Sequence, residues 1–115
     1  MIVRFFAGWD FEKADAHTRS PAEVGYRKGV PMGGDLQKAP AGRAPTFLVA
    51  ALRDPIGANL DRIQVVKGWL DAKGEVHEKV YDVAWSEPDR RKPDPKTGKL
   101  PPVGSTVDVA NATWV

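Results

Sequence analysis

Apolar positions along the chain fall in short runs, and inside most of them the repeat is two residues. Ile2-Val3-Arg4-Phe5-Phe6-Ala7 is rich in β-branched and aromatic side chains and ends at Gly8, which predicts a strand over 2–7. Trp9-Asp10-Phe11 follows as an aromatic pair expected to pack on the body. Ser20-Pro21-Ala22-Glu23 has the form of a capping box, with proline in the first helical position. It predicts one short helix near residues 20–28, weakened by Gly25 and Gly29 and stopped by Pro31. Gly29 to Asp35 reads as a tight loop, and residues 37–45 as a connector with little to bury.

Thr46 to Leu52 is a continuous apolar run of strand length, for which burial on both faces is expected. Asp54-Pro55-Ile56-Gly57 closes it with a turn. The clearest unit comes next. Ile63, Val65, Lys67 and Trp69 alternate with Arg62, Gln64, Val66 and Gly68, and Val76 to Trp85 runs back with Tyr81, Val83 and Trp85 expected on one face. Between them, Asp71-Ala72-Lys73-Gly74 is a turn whose glycine can take positive φ, so a β-hairpin of strands 61–70 and 76–85 is predicted. Residues 86–105 hold five prolines and read as a long loop, and Thr106 to Val109 as a short strand. Asn111 to Val115 is an apolar β-type ending without a polar tail, as expected of a chain cut inside a larger unit.

Composition sharpens this picture in three places. Glycine and proline together make 11 + 10 = 21 of 115 residues, an excess that breaks the chain into pieces suited to sheet. The absence of cysteine removes disulfides, thiolate metal sites and cysteine nucleophiles. Charge is nearly balanced at +2, and the one dense basic run, Arg90-Arg91-Lys92, sits among prolines and aspartates and reads as a solvated loop. No nucleic-acid partner is expected, and no apolar run reaches the roughly 20 residues of a membrane span.

Candidate chemistry is sparse. His17 and His77 are far apart in sequence, where a metal site needs three or four converging ligands, so neither a cofactor nor a metal is expected. A site joining a histidine to Asp10 or Asp35 stays open as an alternative. Met32-Gly33-Gly34-Asp35 has the glycines of an anion-cradling loop without a P-loop's lysine and hydroxyl, which favours a structural turn. Asp94 to Gly98 is a turn without the alternating acids of a calcium loop. Ser20, Ser86 and Ser105 stand outside any nucleophile motif, so no catalytic residue is assigned. Trp69 and Trp85, on opposing hairpin arms, are the residues for a sugar-binding platform, against a core role. With His77 and Asp35 they are the weak binding candidates.

Several long segments in order carry a family resemblance. These are Phe5-Phe6-Ala7-Gly8-Trp9-Asp10-Phe11, Gly29 to Leu36, Ala50 to Leu52 with Arg53-Asp54-Pro55, Asn59 to Trp69, His77 to Ser86, and Pro102-Val103-Gly104 with Thr106-Val107-Asp108. Together they resemble the C-terminal part of the bacterial family of domain of unknown function 3604, from about Phe5 to Val115. That resemblance implies a longer parent protein, often exported to the periplasm or beyond, and related to PHP-type metal-dependent hydrolases. The presumed metal ligands lie upstream of this chain, so no family catalytic residue carries over. The expectation is therefore a mainly β, β-sandwich-like accessory region over 1–115, a single domain or part of one, with long Pro/Gly-rich loops. It is expected to brace the parent's catalytic domain, and possible self-association goes with apolar surface at Ile2 to Phe6 and Thr113-Trp114-Val115. The rival from another class is an independent carbohydrate- or polymer-binding module using exposed tryptophans; a third, that the chain is itself an enzyme, ranks lowest.

Overall fold

The computed structural model describes residues 1–114, the last of them by its backbone. Strands predominate, with one α-helix, and the chain divides into two compact units, Met1–Leu52 and Arg53–Val115. No helix among the described residues is long and apolar enough to cross a membrane.

The first unit is a three-stranded antiparallel sheet with a helix on one face. Strand β1 (Ile2–Gly8) lies between β2 (Gly29–Pro31) and β3 (Thr46–Leu52). Side chains alternate across β1, so Phe6 points to the side of helix α1 (Pro21–Lys28) and meets Val24 and Leu48 in the core, with Phe11 packed against them. Tyr26 adds an edge-on ring at 5.1 Å from Phe6. Two of the expectations for this region change. β1 is paired with β3 along its length but with β2 only at Phe6–Gly8, and Phe6 is buried in its own unit; the exposed large apolar side chains at this end are Met1, Ile2 and Val3. The segment Gly29–Pro31 is a strand instead of a loop, because the chain leaves α1 directly alongside β1, with Val30 opposite Ala7. Pro31, which has no N–H to give a ladder, is tolerated there on an edge strand.

Ser20 precedes the helix as predicted, but its side chain makes no cap. The reciprocal capping box forms instead at a 3₁₀ helix, Lys13–His17, where the Glu12 N–H donates to Asp15 at 2.8 Å. Asp15 also accepts from Lys28 Nζ at 2.8 Å, fastening this turn to the end of α1. β3 is not buried on both faces. Helix α1 covers only the Phe6–Leu48 end of one face, so Leu48 alone of β3 is buried, and a groove of about 350 Å³ lies open along Ile2, Arg4, Ala50 and Leu52. The opposite face carries Val3, Phe5, Phe47 and Val49; Phe5 and Phe47 stack at 5.3 Å, and Phe47 remains half exposed.

The second unit is built on the predicted hairpin, β4 (Arg62–Leu70) paired with β5 (Val76–Trp85). Its turn closes with the Gly74 N–H donated to Asp71 O at 3.0 Å, and Gly74 has φ +81°, a conformation that suits glycine. The register shifts between Ile63 and Gln64, leaving Val83 as the extra residue of a β-bulge. A one-residue slip exchanges faces. Trp85 therefore lies with Arg62, Gln64 and Asp82, on the face opposite Tyr81, and the expected common face of Tyr81, Val83 and Trp85 does not form. A third small sheet joins β6 (Val107–Asp108) to β7 (Thr113–Trp114). The apolar surface expected of Trp114 and Val115 depends on side chains outside the described residues.

Residues 86–105 contain no helix or strand, as predicted, yet the basic run is not simply solvated. Arg91 is only 3% exposed. Its Nε donates to Pro101 O at 3.0 Å, its NH1 to Asp61 O at 3.0 Å and Ser86 Oγ at 2.9 Å, and its NH2 to Pro101 O at 2.7 Å and to the Asp61 carboxylate. A proline-rich segment has few N–H groups with which to close itself, and one guanidinium with five donors gathers its carbonyls instead. Leu100 is buried in the same loop, while Arg90 is exposed and pairs with Glu87.

Candidate functional site

Of the four binding candidates, the structure joins two. Trp69 and His77 are direct cross-strand partners near the hairpin turn, their rings stacked at 5.4 Å with 20° between planes. Trp85 is at the other end of the hairpin, opposite Arg62 and on the other face, half-buried, with its indole N–H donated to Arg91 O at 2.9 Å. Trp69 and Trp85 thus cannot present one continuous platform. Asp35 stands exposed beyond the Pro31–Gly34 turn in the first unit and joins none of the others. Asp10 pairs with Arg43 at 3.0 Å, and no histidine–carboxylate site forms with Asp10 or Asp35 among the described residues.

A histidine–carboxylate group forms elsewhere. One ligand atom each from Asp71, Glu75 and His77 lies within 4.8 Å of the others at the hairpin tip. No metal is expected here from the sequence, although the spacing holds a signal: Asp71 and Glu75 flank the turn, and His77 follows on the returning strand. These donors could hold a cation, but Asp71 and His77 are already engaged in closing the turn. Asp71 Oδ1 accepts the N–H of Lys73 at 2.8 Å and of Glu75 at 3.0 Å, and Oδ2 lies 2.8 Å from His77 Nε2. The hydrogen bond from His77, then that from the Glu75 N–H, hold the Asp71 carboxyl below its ordinary pKa. The group behaves as a clasp on the turn.

Beyond the clasp, the two faces of the hairpin differ. One carries Val65, Lys67 and Trp69 opposite Tyr81, Lys79 and His77, with Lys67 Nζ 4.9 Å from the Trp69 ring and Lys79 Nζ 5.0 Å from that of Tyr81. The other carries Val66 and Leu70 opposite Val80 and Val76. All four of these aliphatic side chains are exposed, Val76 by 80%.

The whole chain, residues 1–115, matches the family model described as protein of unknown function, DUF3604. The chain belongs to the DUF3604 family. No curated protein and no solved structure matches it. Within this DUF3604 chain, then, the hairpin is where two of the candidate residues, Trp69 and His77, meet, and its other face leaves four aliphatic side chains exposed.

Proposed function

We propose that this chain is a non-catalytic accessory β region that braces the catalytic domain of a larger DUF3604 protein. The observation that carries the reading is the aliphatic face of the hairpin. A two-stranded sheet is marginal in water unless an apolar face is covered. Val66, Leu70, Val76 and Val80 are spread along one face of β4 and β5, and all are exposed. They form two exposed pairs, Val66 with Val80 and Leu70 with Val76, on either side of Gly68 and Glu78, and exposed apolar surface of this kind marks an interaction surface. In the first unit, Val3 and Phe47 are exposed on the sheet face away from α1, which gives a second apolar surface of the same character.

Chemistry in this chain is the weaker reading. In the one histidine–carboxylate group among the described residues, Asp71 is held by two backbone N–H groups and His77 is held by Asp71, whereas acid–base catalysis needs a group free to exchange a proton with substrate. The parent's activity, read from the family resemblance as metal-dependent hydrolysis, would then reside in its other domain. The test is a Val66→Asp/Val80→Asp double variant in the parent protein. Bracing predicts a lower melting temperature for the catalytic domain with its active-site chemistry otherwise intact. An unchanged catalytic domain overturns the reading.

A further inference from the structure

The face of the hairpin opposite the aliphatic one has a composition that bracing does not require. Trp69 is paired with His77, Lys67 with Lys79, and Val65 with Tyr81, so three successive cross-strand pairs present two aromatic rings, an imidazole and two ammonium groups on one surface. Trp69 and Tyr81 are each 39% exposed. Like charges directly opposite one another destabilise a strand pair. Neither Lys67 nor Lys79 forms an ion pair among the described residues. The acids of the two strands are on the other face: Glu78 lies opposite Gly68, and Asp82 opposite Gln64, to which it is hydrogen-bonded at 2.7 Å. Each ammonium rests instead over its neighbouring ring, an arrangement that holds the cations at the aromatic surface.

We propose that this Lys67–Trp69–His77–Lys79–Tyr81 face binds an anionic polysaccharide, with sugar carboxylates on the paired lysines and a sugar ring against the aromatic side chains. An anion bridging Lys67 and Lys79 removes the cross-strand repulsion and draws Lys67 from over the indole, freeing that ring for the apolar C–H face of a sugar. The acids at the tip select among polyanions. Asp71 and Glu75 lie beside His77, at the Trp69 end of the face. The Glu75 carboxylate, whose oxygens take no hydrogen bond among the described residues, can accept hydrogen bonds from sugar hydroxyls. A uronate polymer carries free hydroxyls beside its carboxylate on every unit, whereas the deoxyribose-phosphate backbone of oligothymidylate has no free hydroxyl between its ends, and the overall charge of only +2 supplies little long-range attraction for a nucleic acid. The proposal is independent of the bracing role, which uses the opposite face.

The probes are polygalacturonate and alginate, with dextran as the neutral control and oligothymidylate as the competing polyanion, used with the full chain in affinity electrophoresis over a salt series. Retardation by at least one uronate polymer, weakened by salt and absent with dextran, is expected. Lys67→Gln/Lys79→Gln and Trp69→Ala should each weaken it about tenfold or more, as for loss of a central anchor. The charge-matched loop variant Lys96→Gln/Lys99→Gln should leave it unchanged. Circular dichroism checks that each variant is folded, and the salt series on the unaltered chain tests the ionic contribution without any substitution. The proposal is overturned by no retardation with either uronate polymer, by equal weakening in the loop variant, or by tighter binding of oligothymidylate.

Discussion

The ring of Phe6 lies directly on Gly25 of α1, so close that a Cβ at that position would stand 2.4 Å from a ring carbon. Glycine in a helix normally costs about 1 kcal/mol against alanine. Here that cost is what lets the helix approach the sheet. Gly25→Ala, a substitution that would strengthen an isolated helix, is therefore expected to destabilise the first unit by about 1–3 kcal/mol through overpacking. Urea denaturation followed by circular dichroism measures it. A variant as stable as the original chain would mean that Phe6 is not seated as described.

Arg91 supports the loop that follows the hairpin. Arg91→Met keeps much of the volume but leaves the carbonyls of Asp61, Ser86 and Pro101 without their shared donor. The expected loss is about 3 kcal/mol, several net hydrogen bonds' worth. Faster amide exchange is expected at Ser86 and Arg91, whose N–H groups donate to Asp61 O and Glu87 O. Arg90→Met, removing an exposed partner of Glu87, should have little effect. Equal effects from the two arginines would contradict the distinction.

Acid should open the hairpin turn before it disrupts the strands. The Asp71 carboxyl is held below its ordinary pKa, first by His77 and then by the Glu75 N–H. A depressed carboxylate contributes its stabilisation at every pH above its unfolded-state value and loses it as pH falls through the folded one. The contribution of Asp71 to the turn should thus be lost only as pH falls below about 4. The amide shifts of Lys73 and Glu75 report this by NMR, and Asp71→Asn should remove the transition. A transition near neutral pH that survives Asp71→Asn would show that another group controls the turn.

Much of this architecture was legible in the sequence, and the exceptions have specific physical causes. The hairpin followed from a two-residue period meeting a turn glycine, and α1 from Pro21 at its start, although it ends at Lys28, before Gly29, and not at Pro31. The exchange of Trp85 to the other face was not legible, because a bulge at Val83 shifts the register without altering the local pattern. Arg91 was misread for a related reason. Its neighbours Arg90 and Lys92 are exposed, and only the tertiary placement of Pro101 and Asp61 sets it apart. The continuous apolar run of β3 suggested burial on both faces, but apolar composition does not say what covers a sheet. The stacking of Trp69 on His77 could have been drawn from the register once the turn was fixed; the separation of Trp69 from Trp85 could not.

Self-association of the isolated chain is expected from the aliphatic hairpin face. Sedimentation velocity over a concentration series should show a rising weight-average mass, and Val66→Asp/Val80→Asp should suppress it. A monomer at all concentrations, with or without the substitutions, would mean that this face is tolerated in water.

Hydrogen exchange of the hairpin, compared between the 115-residue chain and the larger DUF3604 protein proposed to contain it, tests the bracing role most directly. The amides of β4 and β5 around Val66, Leu70, Val76 and Val80 should exchange markedly more slowly in the larger protein, because a covered apolar face raises the free energy of local opening. Identical exchange in the two contexts would contradict the proposed role.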